Sequence, residues 1–61
     1  MNKVYVLVAC TDGLTEIVCA TSKREDIDYV INETLGFLDE KDTLTVQIWI
    51  DGDIAEELTI Q

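Results

Sequence analysis

The fold is decided by residues 3–20, KVYVLVACTDGLTEIVCA, where two valine-containing apolar runs flank an Asp-Gly pair. Lys3–Cys10 and Leu14–Ala20 are rich in β-branched residues, which favour strands. Asp12 and Gly13 tolerate the positive φ angles that a tight hairpin turn requires. The segment therefore predicts a β-hairpin that turns at Asp12-Gly13.

The register of this hairpin follows from the length of its turn. With a two-residue loop, Val8 faces Ile17, Cys10 lies near Thr15, and Cys19 lies about four residues further along the ladder. At about 3.3 Å per residue, the two thiols are then more than about 10 Å apart, which is beyond the reach of a disulfide. The sequence therefore predicts two free core cysteines in a reducing compartment.

Both faces of the first strand are apolar, which is typical of a central strand covered on both sides. A single helix covers only one of these faces. We predict that the other face, with Tyr5, Leu7 and Ala9, is covered by a second copy of the chain. A chain of 61 residues buries only about 60% of its unfolded surface, so such a supplement to the core is expected.

The next segment predicts an α-helix that runs to about Leu35. Ser22 and Glu25 stand in the pattern of a capping box, and Gly36 is placed to end the helix in a left-handed conformation. Phe37 would then fold back onto the helix. One core-facing stripe repeats at helical spacing: Ile27, Val30, Ile31, Thr34 and Leu35.

A second hairpin is predicted near the end of the sequence. Thr43–Ile50 alternates between apolar and polar residues, which indicates a half-buried strand, and Ile54–Ile60 predicts the last strand. Between them, Asp51-Gly52 predicts a turn. A three-residue loop with Gly52 in a bulge is favoured, because it keeps the apolar residues of both strands on one face. A short helix over residues 53–58 is the alternative.

Together these elements predict an α+β fold, ββαββ, in which two hairpins are joined by one helix packed on a four-stranded, mostly antiparallel sheet. Residues 1–61 form one predicted domain. The apolar run Val4–Ala9 is too short for a signal-peptide core or a membrane span. We therefore expect a cytoplasmic protein.

Catalysis has few candidate groups in this sequence. It contains no histidine, the usual general base at neutral pH. Its two cysteines have no evident activating neighbour, and its three glycines are isolated, so that no phosphate-binding loop is present. We predict a protein that is not an enzyme and that uses no cofactor.

The charge is distributed unevenly along the chain. Residues 1–24 carry three basic and two acidic side chains, whereas residues 25–61 carry one basic and eleven acidic side chains. With a net charge of −9, the protein repels nucleic acid and anionic membranes and attracts basic protein surfaces. Two interpretations stay open: the acids serve solubility alone, or they form a surface that occupies a basic groove of a partner.

The predicted partner-binding surface combines acidic residues with two aromatic ones, because exposed aromatic side chains are enriched at interfaces. For Trp49, packing against a cross-strand neighbour near Asp53 or Ile54 is an equally good explanation. The predicted surface comprises Glu25, Asp28, Tyr29, Glu33, Trp49, Asp51, Asp53, Glu56 and Glu57. Asp51, Asp53, Glu56 and Glu57 could together bind calcium, but their spacing does not match that of an EF-hand loop, so no metal is predicted.

Three segments, Val4–Leu7, Thr21–Glu25 and Ile48–Gly52, resemble in this order small ββαββ proteins of bacteria and their phages. The resemblance covers most of the chain and implies no catalytic residue. In size, acidity and lack of catalytic residues, the chain is also similar to phage-encoded inhibitors of bacterial defence systems, including anti-CRISPR proteins. That similarity implies a viral protein that binds and blocks a host protein, sometimes by presenting acids where nucleic acid would lie.

These observations predict a small acidic, non-catalytic protein-binding module. In its specific form it is a phage inhibitor, active in the host cytosol as a homodimer, which blocks a basic surface of a host defence or nucleic-acid-handling protein. It would bind neither nucleic acid nor a membrane directly. The alternative is a structural or accessory subunit of a larger assembly, whose acidic residues serve solubility.

Overall fold

The computed structural model describes residues 2–61, so that of the predicted domain over residues 1–61 only Met1 lies outside the described residues. In chain order, the elements are β1 (Lys3–Thr11), β2 (Leu14–Thr21), α1 (Arg24–Leu35), β3 (Thr43–Ile50) and β4 (Asp53–Thr59). Neighbouring strands are antiparallel throughout, in the order β2-β1-β3-β4. The predicted ββαββ fold of the α+β class is confirmed.

The first hairpin turns at Asp12-Gly13, as predicted. Asp12 has a φ of 50° and Gly13 a φ of 81°, and two positive φ angles in succession are typical of a type I′ turn. Val8 pairs with Ile17, which confirms the predicted register on the turn side of the hairpin.

A β-bulge at Val18 shifts the register further from the turn. Leu7 pairs with Cys19, so that Val18 is an extra residue in β2. Cys19 therefore lies on the same face as Leu7, whereas a uniform register would place it on the other face. Cys10 pairs with Thr15 as predicted, and the two free thiols occupy opposite faces of the sheet. Both cysteines are free, as predicted, and both are half-buried. Cys19 packs against the core, whereas Cys10 lies on the opposite face of the sheet and does not belong to the core.

The second hairpin also turns through two residues, so the predicted three-residue loop is wrong. Asp51 has a φ of 51° and Gly52 a φ of 88°, and Ile50 pairs with Asp53 directly across the turn. The last segment is a strand, β4, which excludes the alternative helix over residues 53–58. The two hairpins thus use the same type of turn.

A second bulge, at Ala55, changes the register part of the way along this hairpin. Before the bulge Ile54 pairs with Trp49, and after it Leu58 pairs with Val46. Leu58 consequently lies on the same face as the apolar residues of β3. Ile54 lies on the opposite face, away from Leu58, although the alternation in the sequence suggested a common face.

The helix α1 begins at Arg24, and the predicted capping box of Ser22 is wrong. The N-cap residue is Lys23, whose side chain makes no capping hydrogen bond. Thr21 organises this end instead: the Lys23 amide donates to Thr21 Oγ1 (3.1 Å), and Thr21 Oγ1 donates to Asp26 Oδ2 (3.3 Å). The hydroxyl of Thr21 therefore ties the first turn of the helix to the end of β2.

The end of α1 also differs from the prediction. Gly36 has a φ of −68° and is right-handed, so the left-handed cap is wrong. The Gly36 amide donates to Glu33 O (3.3 Å) and the Phe37 amide to Thr34 O (2.9 Å), which tightens the last turn. Because the chain does not reverse at Gly36, Phe37 is 84% exposed and does not fold back onto the helix.

The core lies between α1 and one face of the sheet. Leu7 and Leu44 are fully buried, and Ile27 of the helix is 2% exposed. Val30, Ile31 and Leu35 pack against this core, which confirms the predicted helical stripe. The buried core residues are Tyr5, Leu7, Ala9, Ile27, Leu44 and Val46.

The prediction that Tyr5, Leu7 and Ala9 face away from the helix is therefore wrong. The pairing of β1 with β3 explains the difference, since Leu7 lies opposite Val46 and shares its face. β3 is apolar on that face alone, so the helix covers the face on which the apolar residues of both strands meet. The face of β1 that had been expected under the helix is the uncovered one.

The connection between α1 and β3 is closed by hydrogen bonds of Asp42. Asp42 is 7% exposed, and its Oδ2 accepts a hydrogen bond from the Asp39 amide (2.9 Å). The Asp42 amide donates to Asp39 O (3.0 Å), and Gln61 Nε2 donates to the same carbonyl (2.7 Å). Asp42 therefore has a structural role and does not contribute to the charged surface.

Candidate interaction surfaces

The sheet divides the molecule into two sides. We call the side that carries α1 the helix side and the opposite side of the sheet the open face. The side-chain alternation of paired strands assigns each strand residue to one of them. The open face consists of Val4, Val6, Val8 and Cys10 of β1, Thr15, Ile17 and Ala20 of β2, Thr43, Thr45, Gln47 and Trp49 of β3, and Ile54, Glu57 and Thr59 of β4.

The nine residues of the predicted partner-binding surface do not lie together. The structure divides them among four places, because helix periodicity and strand alternation send neighbouring residues in different directions. Glu25, Tyr29 and Glu33 lie on the outer side of α1, Asp28 and Glu56 beside a groove, Asp51 and Asp53 at the second turn, and Trp49 and Glu57 on the open face.

The outer side of α1 carries a linear arrangement that we call the acidic stripe: Glu25, Tyr29 and Glu33. The three residues are spaced by four positions and so lie on successive turns, away from buried Ile27. Tyr29 is 66% exposed. Within residues 2–61, the ion pairs join other residues, so neither carboxylate of the stripe is neutralised by a basic side chain of the described chain.

A groove of about 300 Å³ lies beside α1, over the half of the sheet that the helix does not cover. On its rim, Arg24 Nε lies 3.6 Å from Asp28 Oδ1, and Lys3 and Glu56 add one charge of each sign. Because these charges compensate each other, the groove does not extend the acidic stripe. Its lining is otherwise mainly apolar and includes Tyr5, Ile27, Ile31, Val46, Ile48, Leu58 and Ile60.

Asp51 has a structural role at the start of the sheet. The Asn2 amide donates to Asp51 Oδ1 (2.8 Å), and the Asp51 amide donates to Asn2 O (2.7 Å). Asp51 is also the first of the two central residues of the type I′ turn, a position where Asp is favoured. Its neighbour Asp53 is exposed, and its pairing with Ile50 places it on the helix side.

Trp49 lies on the open face and is half-buried. Its partner is Ile54, one of the two cross-strand neighbours that the sequence suggested. Trp49 Nε1 donates to Gln47 Oε1 (3.1 Å), and Gln47 Nε2 donates to Glu57 Oε2 (3.1 Å). The indole is therefore held on the sheet, on the side of the molecule opposite to Tyr29.

The predicted self-association residues Tyr5, Leu7 and Ala9 lie in the core of the chain itself and offer no surface to a second copy. The surface that sequence reasoning missed is the open face, with Val6 and Val8 at its centre. Its apolar character was visible in the sequence. The sequence could not show which face of β1 is uncovered, because this depends on the register between β1 and β3. No hairpin turn joins these two strands, so their register could not be predicted.

The structure describes no arrangement suited to a metal ion: within residues 2–61, no group of three or more histidine, cysteine, aspartate or glutamate side chains is placed to hold one. The carboxylates of the calcium alternative diverge, since Glu56 lies on the helix side and Glu57 on the open face. No helix in this part of the chain is long and apolar enough to cross a membrane.

Comparison with protein-family models, with curated proteins and with solved structures found no match. The class of the protein is therefore defined by its own geometry: an α+β domain in which one helix packs on a four-stranded antiparallel sheet. The resemblance to small ββαββ proteins of bacteria and phages stays a prediction.

Proposed function

We propose that this chain is a non-catalytic protein-binding module whose acidic stripe occupies a basic surface of another protein. The observation that carries the proposal is the exposed Tyr29 with an unneutralised carboxylate one turn before it and one turn after it. Tyrosine is among the residues that dominate binding energy at interfaces. The net charge of −9 adds a long-range attraction toward basic surfaces and a repulsion from nucleic acid and anionic membranes.

In its specific form, the proposal is a phage-encoded inhibitor of a host defence or nucleic-acid-handling protein, acting in the host cytoplasm. Glu25 and Glu33 are two helical turns apart, so their carboxylates are separated by about 12 Å along the helix axis. Negative charges in line resemble the phosphates of a nucleic-acid strand, and the stripe would therefore fit a groove built for such a strand. The similarity in type to anti-defence inhibitors supports this form.

The test compares two double variants with the same change in net charge. Glu25→Lys/Glu33→Lys reverses the acidic stripe, whereas the control Glu16→Lys/Glu40→Lys reverses two exposed acids outside it. Each protein is immobilised and exposed to nuclease-treated bacterial lysate, and bound proteins are quantified by mass spectrometry. Double-stranded DNA and raised salt serve as competing eluents, because both weaken binding that depends on charge.

We expect the wild-type chain and the control to retain a basic nucleic-acid-binding protein that DNA displaces. The stripe variant should lose at least about tenfold in retention, which corresponds to about 1.4 kcal/mol. Circular dichroism establishes that both variants are folded. Equal retention by the two variants would show that overall charge, and not the stripe, is responsible, and the proposal would then be abandoned.

A second candidate function is that of a structural or accessory subunit of a larger assembly, which the uncovered apolar open face favours. Truncation of Tyr5 or Leu7 does not test this candidate, because both residues belong to the core. Ile17 is a better probe, since it lies on the open face and is 71% exposed. An assembly role predicts that Ile17→Lys abolishes partner retention while reversal of the acidic stripe leaves it unchanged.

A further inference from the structure

The open face is apolar but uncovered. At its centre, Val6 and Val8 are half-buried, and toward its edges Ile17 is 71% exposed and Ile54 48%. Trp49 adds an aromatic ring at one end of the same face. A contiguous apolar surface on a small domain marks an interaction site, because its exposure to water is unfavourable.

Charge is almost excluded from this face. The chain has 13 acidic residues, yet within residues 2–61 strand pairing places a single charged side chain on the open face, Glu57 of the edge strand β4. The acids Glu16 and Glu56 of the two edge strands lie on the helix side. A chain with a net charge of −9 can approach another copy of itself only where such charges are absent, since like charges in contact are destabilising.

Three polar side chains of the open face form a chain of hydrogen bonds with one another. Trp49 Nε1 donates to Gln47, and Gln47 Nε2 donates to Glu57, each over 3.1 Å. The indole N–H therefore has a partner before any second molecule arrives. Burial of the Trp49 ring in an interface would leave no unpaired indole donor, which removes the usual penalty for covering a tryptophan.

The shape of the chain also indicates a missing layer. It exposes 4322 Å² of surface, whereas a globular monomer of 6.9 kDa exposes about 4000 Å². Its shortest dimension is 15 Å, the thickness of one helix on one sheet. The fully buried large side chains are Leu7, Ile27 and Leu44, a small core that a second apolar layer would enlarge.

We propose that a second copy of this chain covers the open face, in a two-fold symmetric dimer whose two sheets pack face to face. Four strands of about eight residues, at about 4.8 Å between strands and about 3.3 Å per residue, offer about 500 Å² per copy. The total of about 1,000 Å² reaches the lower limit for a specific interface. Interfaces at this low end of the size range are often weak and transient, so we expect a reversible dimer with a Kd in the micromolar range. It does not depend on the function proposed for the acidic stripe.

A second copy fits this face for reasons of symmetry and charge. A two-fold interface uses the same patch twice, so a face that is mainly apolar, with a single charged residue at its edge strand, can pack against a copy of itself. Face-to-face packing places both helices, and with them both acidic stripes, on the outer surfaces of the dimer. Pairing through the sheet edges is less suitable: β4 carries Asp53, Glu56 and Glu57, and β2 is distorted by the bulge at Val18.

The test uses two exposed apolar residues of β2 that lie on different faces. Ile17, which pairs with Val8, is on the open face and 71% exposed, and Leu14, which pairs with Thr11, is on the helix side and 66% exposed. Both are replaced by lysine, which lowers the net negative charge, so that a loss of association cannot be attributed to added repulsion. Sedimentation velocity is measured over a concentration series up to about 500 μM, well above the Kd expected for an interface of this size.

We expect the wild-type chain and Leu14→Lys to reach twice the mass of one chain, and Ile17→Lys to remain monomeric. Raising the salt from about 0.05 M to 0.5 M should lower the dimer Kd at least about threefold, because screening weakens the repulsion between the two negative copies. The emission of Trp49, the single tryptophan, should shift to shorter wavelength as the wild-type concentration rises. This last measurement requires no variant.

Three results would overturn the proposal. The first is a wild-type chain that stays monomeric at the highest concentration and salt. In that case the open face either binds a different protein or stays exposed to solvent. The second is an Ile17→Lys variant that associates like the wild type. The third is loss of association in both variants while circular dichroism shows them folded, which would place the interface elsewhere.

Discussion

Truncation of Leu7 tests most directly which face of the sheet forms the core. Leu7 is fully buried, and its strand partners are Cys19 and Val46. Leu→Ala exchanges at buried positions cost about 2–5 kcal/mol, because apolar contacts are lost and a cavity remains. Since helix and sheet enclose this side chain from both sides, we expect Leu7→Ala to lower the free energy of unfolding by about 3 kcal/mol.

A loss of this size is a large part of the total stability. A domain of 61 residues at about 0.05–0.15 kcal/mol per residue has a free energy of unfolding of about 3–9 kcal/mol. With a urea dependence of about 1 kcal/mol per M, the midpoint should fall by about 3 M. The assay is urea unfolding followed by far-ultraviolet circular dichroism, at a concentration low enough to keep the chain monomeric.

The matched control is Leu14→Ala, the same exchange at a residue that is 66% exposed. It should change the free energy of unfolding by less than about 0.5 kcal/mol. Val6→Ala, on the open face, should cost the monomer clearly less than Leu7→Ala. If Val6→Ala cost as much as Leu7→Ala, or if the two leucine variants were equally stable, the assignment of the helix to the Leu7 face would be wrong.

Two further predictions concern single residues of the turns. Gly52→Ala should lower the free energy of unfolding by about 1 kcal/mol, because Gly52 has a φ of 88°. The control Gly36→Ala, at a right-handed position, should change this free energy by less than about 0.5 kcal/mol. Equal effects of the two exchanges in urea unfolding would contradict the type I′ turn. Asp42→Ala should cost about 1–2 kcal/mol, because the Asp39 amide loses its acceptor. Glu40→Ala, at an exposed position of the same connection, should leave the melting temperature unchanged, and an equal loss for both variants would refute the structural role of Asp42.

The local elements could be predicted because their signals lie within a few residues of each other. Asp-Gly pairs specify both turns, and the spacing from Ile27 to Leu35 specifies the helical face. The three residues of the acidic stripe were predicted as members of a larger surface and not as a separate group. The predictions of the two helix ends were wrong, although their signals are also local. Thr21 and not Ser22 holds the start of the helix, and Gly36 is right-handed.

The assignment of faces could not be made from the sequence. β1 is apolar on both sides, so its own pattern does not indicate which side the helix covers. That choice follows from its pairing with β3, which has one apolar face, and this pairing joins segments that no short turn connects. The bulges at Val18 and Ala55 are equally hidden, because neither position carries the glycine that marks some bulges.

The nine residues of the predicted partner-binding surface lie in separate places for the same reason. Residues that are close in sequence, such as Glu56 and Glu57, end on opposite sides of the sheet, while Asp51 and Asp42 are engaged in hydrogen bonds that hold the chain together. Acidic composition predicts the sign of the surface charge. It does not distinguish a carboxylate that is free to meet a partner from one that accepts a backbone amide.

The central position of β1 and β3 has a consequence for how the protein forms during synthesis. Each hairpin closes through a two-residue turn, but the pairs between β1 and β3 run from Cys10–Thr43 to Lys3–Ile50, across a long loop of chain. Closing such a loop costs entropy before its contacts form, so we expect the docking of the two hairpins to limit the folding rate. On the ribosome, the first hairpin and the helix must therefore wait for β3 to emerge before the central pair of strands can form.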